Sequence, residues 1–214
     1  MQRIDEAAIQ VVGIPRLLLM DEAGRAVAGA VRSLVPEPPD EVLVCCGTGY
    51  NGGDGLCAAK HLAHWGYQPH VVVVGAMERL REEPAVYARI LKNLRVPLLE
   101  LTDAAQLEQF PTWSARASVI VDALLGIGLH GPARPPYTRF ITLINHANKP
   151  VVSVDVPSGL DADTGRPHDV AVRATVTVTF GLPKQGFFVE EGPRSVGKLI
   201  VDDIGIPAPL LNER

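Results

Sequence analysis

One run constrains this chain more than any other. Gly47-Thr48-Gly49-Tyr50-Asn51-Gly52-Gly53-Asp54-Gly55 places five glycines in nine residues between a strand-like segment, Glu41 to Val44, and a helix-like one, Leu56 to Trp65. A strand that ends in a glycine-rich turn and opens a helix makes an anion site. Bare N–H groups and the positive end of the helix dipole face one pocket, and glycine lets backbone approach a phosphate closely. The run therefore predicts a βα unit that binds a phosphorylated small molecule. A formal net charge of −4 and the lack of any basic run leave no electrostatic footprint for nucleic acid. Such a phosphate must be held by local geometry.

Strands and helices alternate downstream. Val42–Cys46, Pro69–Val74, Ser118–Asp122, Val151–Asp155 and Thr175–Phe180 read as buried, valine-rich strands, and Leu56–Trp65, Glu82–Leu94 and Tyr137–Ala147 as the helices between them. Lys198–Asp202 reads as a late edge strand. The alternation predicts an α/β fold with a mostly parallel sheet covered on both faces and joined by right-handed crossovers. The first 36 residues or so read as helical, with Pro15 in a first turn and Leu17, Met20, Gly24, Val27 and Val31 recurring at three to four residues. A chain of 214 residues, 47% hydrophobic and 21% charged, without repeats or linkers, is expected to form a single domain over 1–214 with that helical segment packed on it.

Cys45, Cys46 and Cys57 are an odd number, two of them adjacent, which predicts reduced thiols and a cytoplasmic protein. Asp5 and Glu6 stand where a signal peptide would be basic, and the apolar stretches are strand-sized, so no membrane partner is expected.

In open α/β sheets, ligands bind outside the carboxyl ends of the strands, where the strand order reverses. Three segments put polar residues there: Gly47–Gly55, Val121-Asp122-Ala123-Leu124-Leu125-Gly126-Ile127-Gly128-Leu129-His130-Gly131-Pro132, and Val154-Asp155-Val156-Pro157-Ser158-Gly159-Leu160-Asp161-Ala162-Asp163-Thr164-Gly165. A strand-terminal aspartate can simply cap a turn. Three such ends, each with small residues, fit a site better. Carboxylates beside a phosphate repel it unless a cation intervenes, and Asn51, Asp122 and Ser158 offer hard oxygen ligands. Oxygen donors suit a monovalent ion, magnesium or calcium, and spacing does not choose among them.

Other motifs fail on inspection. No G-K-[ST] follows the glycine loop, which excludes the nucleoside-triphosphatase P-loop. Gly47 to Gly52 matches G-x-G-x-x-G, yet Val74-Gly75 stand where a dehydrogenase carries its ribose-binding carboxylate. Ser158 lacks the G-x-S-x-G elbow of a serine nucleophile. His61 and His64, three apart without nearby ligand partners, read as surface histidines.

The same segments resemble the signature blocks of the NAD(P)H-hydrate epimerases, the YjeF N-terminal domain family. Gly47–Gly55 matches the family's G-x-G-N-N-G-G-D-G except at Tyr50, Val121–Gly131 matches V-D-A-x-x-G-x-G-L-x-G, and Asp155–Gly165 matches D-x-P-S-G-L-D-x-x-T-G. Thr179-Phe180-Gly181-Leu182-Pro183-Lys184 is similar to its T-F-G-x-x-K block, and Asp203 to Pro207 to its closing D-I-G-I-P. The blocks run in order over nearly the whole chain. The resemblance implies a Rossmann-like three-layer α/β/α sandwich, commonly a homodimer, that interconverts the R and S forms of the C6 hydrate of NADH or NADPH.

By the same resemblance, Tyr50, Asn51, Gly52, Gly53 and Asp54 would line the hydrated-nucleotide site, completed by Gly126, Ile127, Gly128, Leu129, His130, Gly131, Pro132 and Asp155. Asn51, Asp122 and Ser158 would hold a potassium ion. Asp155 is the expected acid/base, with Lys184 assisting it or pairing with phosphate. The functional partner would be an ATP- or ADP-dependent hydrate dehydratase, expected as a separate protein because the chain ends at Arg214. Two departures bear on the substrate. Tyr50 replaces the loop's first asparagine, and Glu22 replaces the asparagine of M-E-N-A-G, putting a charge that would repel phosphates if it faced the pocket. The alternative is a non-catalytic nucleotide-like ligand-binding or scaffold module of the same fold, such as relatives in an mRNA-decapping scaffold and a lipoprotein-binding protein.

Overall fold

Valine-rich segments buried on both faces need helices above and below them, and the computed structural model, which describes residues 2–38, 40–128 and 135–212, supplies both layers. Seven strands, β1 (Glu41–Cys46), β2 (Gln68–Val74), β3 (Leu98–Leu101), β4 (Val119–Ala123), β5 (Val151–Val154), β6 (Val176–Phe180) and β7 (Lys198–Asp202), pair in the order β3-β2-β1-β4-β5-β6-β7. Every pairing is parallel. The order reverses between β1 and β4, a Rossmann-like arrangement with its switch point at the ends of those two strands.

The period-two alternation of the strands sorts the core. Val42, Val44 and Cys46 of β1 face one layer with Val71, Val73, Val119 and Val121, while Leu43 and Cys45 face the other with Val72, Val74 and Ile120. The first layer is built by α1 (Gln2–Ala7), α2 (Arg16–Leu34), α3 (Tyr50–His64) and α4 (Glu82–Asn93). The second holds α5 (Phe110–Arg116) and α6 (Tyr137–His146), whose Phe110 and Phe140 rings meet edge to face at 5.5 Å. Two short helices, α7 (Gly192–Val196) and α8 (Ala208–Asn212), flank β7. All three cysteines are free and buried. No helix among the described residues is long and apolar enough to cross a membrane.

Several elements differ from the sequence expectation, among them α5, α7 and α8, which were not assigned from sequence. Helix α3 begins at Tyr50, not at Leu56, so most of the glycine run is helix and only Gly47 to Gly49 form the turn. Glycine is kept there by close packing. A Cβ at Gly52 would strike the Gly47 carbonyl, and one at Gly55 would lie 2.5 Å from the Ala123 Cβ of β4. The helix thus lies against the sheet more closely than any side chain would permit. Strand β3, four residues long and carrying Glu100 in its middle, is too short and too polar to be read from periodicity.

Candidate active site

A cavity of about 720 Å³ opens over the carboxyl ends of β1 and β4 at the switch point. Of the residues expected from sequence, Tyr50, Asn51, Asp54, Gly126, Ile127, Gly128, Asp155 and Lys184 line it. Helical spacing explains the first three: Tyr50, Asn51 and Asp54 share one face of α3, while Gly52 and Gly53 fall on the inner face. Gly52 packs on Gly47 and Gly53 on Met20 and Pro84, so both are buried beneath the cavity lining. Leu129, His130, Gly131 and Pro132 lie outside the described residues. The N-cap of α3, Gly49, makes no side-chain cap. The first N–H groups of the helix are therefore left to a ligand.

Asp122, at the end of β4, is fully buried just below the cavity. Four neutral donors hold it. The Ser158 hydroxyl and the Leu124 N–H donate to Oδ1, at 2.5 and 3.4 Å, and the Ser153 hydroxyl and the Ser158 N–H donate to Oδ2, at 2.8 and 2.9 Å. Burial still pushes the Asp122 carboxyl above its ordinary range, against the pull of the hydrogen bonds from Ser158 and Ser153. The Ser158 hydroxyl accepts from the Leu125 N–H at 2.9 Å, and the Asn51 side-chain amide donates to the Leu125 carbonyl at 3.2 Å. Asn51, Asp122 and Ser158 are thus gathered around one peptide carbonyl. A buried carboxylate with no cationic partner among the described residues, beside a carbonyl, a hydroxyl and an amide, fits a hard cation.

Asp155 follows β5 with φ +60, a left-handed conformation uncommon outside glycine, asparagine and aspartate. The turn is tight, with the Asp155 N–H donating to Val178 and the Val156 N–H to Val154, both at 2.7 Å. Its Oδ1 accepts from Lys184 Nζ at 2.5 Å, from the Thr179 hydroxyl at 3.1 Å and from the Phe180 N–H at 3.3 Å. Lys184 is buried, and its remaining donors go to Thr179 Oγ1 at 2.8 Å and the Phe180 carbonyl at 3.1 Å. All three ammonium protons are engaged, which leaves none for a phosphate and makes Lys184 the residue that positions Asp155. No described residue donates to Asp155 Oδ2, and the carboxylate lines the cavity.

Two more carboxylates join it. Burial first, then the charges of Asp155 and Asp5, pushes Asp54 well above the carboxylate range. Asp5 of α1 is raised in the same way, by burial and then by Asp155. Sequence reasoning used Asp5 and Glu6 only against a signal peptide, yet both line the cavity with Arg3 and Ile9. No local pattern reveals that, because the N-terminal segment reaches the site through tertiary packing alone. Arg16, Arg81 and Tyr137 also line the cavity and were missed.

The two departures separate clearly. Glu22 is exposed and faces away from the cavity, beside Arg25 and Arg32. Tyr50 stands in the cavity wall, with the guanidinium carbons of Arg16 and Arg81 over its ring at 4.6 and 4.5 Å from the centroid. His64 is exposed as expected, whereas His61 is half-buried, 3.4 Å from Asp21. Asp21, Cys57 and His61 come together in a way that resembles a metal site. The Lys60 ammonium, 2.7 Å from Asp21 Oδ1, already supplies the positive charge there.

The family described as YjeF-related protein N-terminus matches residues 16–186. The chain is 44% identical over 92% of its length to the bifunctional NAD(P)H-hydrate repair enzyme Nnr of Pyrobaculum aerophilum, of which it spans 39%. It is 32% identical over 99% of its length to the NAD(P)H-hydrate epimerase of Rhodopirellula baltica, covering 84% of that protein. The crystal structure of the yeast protein YNL200c superimposes with a TM-score of 0.85 at 28% identity, covering 100% of this chain and 91% of the yeast one.

Proposed function

The chain belongs to the YjeF-related N-terminal family, and from that membership and the geometry of its cavity we propose that it interconverts the R and S forms of the C6 hydrate of NADH or NADPH. The observation that carries this reading is the half-engaged carboxylate of Asp155. Oδ1 is fixed by Lys184, Thr179 and Phe180, while Oδ2 is left to the cavity.

Epimerisation at C6 needs an acid and a base. The leaving hydroxyl takes a proton and departs as water while the N1 lone pair forms a C6–N1 double bond. Water then adds to the opposite face of C6, gives up a proton, and N1 recovers its lone pair. Asp155, ion-paired with Lys184, is placed to take the proton of the returning water. Asp54, which burial and then the charges of Asp155 and Asp5 push well above the ordinary carboxylate range, would be the neighbour to give a proton. The free N–H groups of the α3 N-terminus would take the diphosphate.

Asn51, Asp122 and Ser158 would hold a potassium ion, whose charge would offset Asp122 beside the phosphates. Three free, buried thiols support a cytoplasmic setting, and exposed Val11, Val12 and Leu18 support a homodimer. The S hydrate would pass to an ATP- or ADP-dependent dehydratase, and the bifunctional name of the Pyrobaculum relative is in keeping with such a coupling. The whole of 1–214 is read as one domain, in keeping with the single seven-stranded sheet.

The test is acceleration of R-hydrate epimerisation, with an S-specific dehydratase as reporter. Acceleration over the spontaneous rate, lost in Asp155→Asn, is expected. No acceleration with or without potassium would sink the assignment and favour a ligand-binding module.

A further inference from the structure

The position at which this chain departs from its family's glycine loop is also where two arginines of the cavity lining stack on one ring. Tyr50 opens α3, Arg16 opens α2, and Arg81 is the N-cap of α4, so three helix N-termini converge on one aromatic ring. Both guanidinium carbons lie over that ring within 4.6 Å of its centroid, and all three residues line the cavity. Neither guanidinium donates a hydrogen bond to any described residue. Arg16 has only a distant carboxylate, Glu83, at 3.6 Å from its Nε, and Arg81 has none within 4 Å among the described residues.

Two cations held around one ring repel each other. The ring face offsets part of that repulsion, and stacking leaves the planar donor edges of both guanidiniums unspent. A dianion with several acceptor oxygens satisfies such a pair best, and a phosphomonoester has that chemistry.

Two further observations say which phosphate. The diphosphate of a dinucleotide is already matched by the uncapped N–H groups at the start of α3. In dinucleotide-binding Rossmann folds, whose fingerprint this glycine loop only partly matches, a carboxylate beyond the loop reads a free 2′-hydroxyl and a nearby arginine accommodates a 2′-phosphate. Here β2 ends in Val74 and Gly75, without a carboxylate, and the segment that follows it delivers Arg81 to the cavity.

We propose that Arg16, Tyr50 and Arg81 form a phosphomonoester subsite that makes this site prefer the hydrated dinucleotide bearing a 2′-phosphate. The subsite deepens, and rests on, the assignment of the cavity to a dinucleotide hydrate. Tyr50 acts in it as a platform, which an asparagine could not provide.

Calorimetric titration of the whole chain with adenosine 2′,5′-bisphosphate and adenosine 5′-monophosphate reads the subsite without any turnover. The bisphosphate should bind about tenfold tighter or more, the equivalent of one charge-assisted contact. Arg81→Gln should bring the two nucleotides to within about threefold, as should Tyr50→Asn, while Tyr50→Phe should keep the preference. Thermal midpoints establish that each variant is folded, and Tyr50→Asn carries the test if Arg81→Gln is not. Bisphosphate binding that is no tighter than that of the monophosphate, or absent, overturns the proposal. So does an Arg81→Gln variant that weakens both nucleotides equally, which would assign the arginine to the 5′-phosphate.

Turnover of the two hydrates separates this subsite from the activity. With both correct, kcat/KM favours the NADPH hydrate through KM, and Arg81→Gln removes that advantage. Selective bisphosphate binding without turnover of either hydrate keeps the subsite and sinks the epimerase. Turnover of both hydrates with no nucleotide preference does the reverse.

Discussion

Asp122 and Asp155 end neighbouring parallel strands, and the protein treats their charges in opposite ways. Asp122 is sealed away and met by neutral dipoles alone, four donors on two oxygens. Asp155 is met by a buried ammonium, a hydroxyl and an N–H, all on one oxygen. Dipoles can hold a carboxylate in place but do not cancel its charge, so Asp122 retains a negative potential that suits a cation. An ammonium cancels the charge and frees the second oxygen for chemistry. The same residue type is thus held by dipoles alone in one place and by an ion pair, with one oxygen left to the cavity, in the other.

The largest effect should fall on Asp155. Asp155→Asn is expected to lower the epimerisation rate by about 10²–10⁴, the usual contribution of a positioned acid or base, measured on the R hydrate of either cofactor. Full retention of rate would move the base elsewhere and dissolve the contrast.

Stability should divide the pair as well. Asp155→Asn strands the buried Lys184 ammonium and should cost about 3–5 kcal/mol in a denaturant titration. Asp122→Asn leaves only neutral donors mismatched and should cost about 1–3 kcal/mol, although Asp122 is the more deeply buried. A larger loss at Asp122 would show that dipoles, and not the ammonium, carry the greater share of the site's stability.

Asp54 sharpens the comparison by lacking both kinds of partner among the described residues. Its folded pKa lies above its unfolded one, so its contribution favours the fold at low pH and is lost as pH rises from the unfolded carboxyl value through the folded one. Asp54→Asn should therefore raise the thermal midpoint by a few degrees near neutral pH, with the gain vanishing toward pH 4. A gain that is equal at both pH values would exclude the titration as its cause.

The smallest effect is that of the cation. Potassium should raise the thermal midpoint of the natural protein with the logarithm of its concentration, relative to tetramethylammonium at equal ionic strength, and should leave Asp122→Asn unmoved. An equal response in both would place the ion away from Asp122.

Much of the fold was legible because its strands are buried on both faces. Val42–Cys46, Val71–Val74 and Val119–Val121 are continuous apolar runs, and parallel pairing follows once helices separate them. Strand β3 was not legible, since four residues at a sheet edge carry too little pattern. The start of α3 was misplaced for a reason peculiar to glycine. Its low helix propensity argues for a loop, and the close packing of Gly52 on Gly47 and Gly55 on β4 overrides that. Of the site, Asn51, Asp54, Asp122, Asp155 and Ser158 stood out because polar residues at strand ends and on a glycine loop have few structural uses. Asp5, Arg16 and Arg81 did not, because a charged residue on an amphipathic helix or a connecting segment looks the same whether it faces water or a cavity.

The amino-acid sequence by itself determined the parallel sheet, the glycine-rich turn and the aspartates at its carboxyl edge, since each depends on residue type and local spacing. Only the tertiary structure decided which aspartate was given an ammonium and which was given dipoles, and that two arginines from distant helices meet over Tyr50. Those outcomes depend on distances between segments far apart in the chain, and electrostatic energy is set by distance and burial, neither of which is written locally.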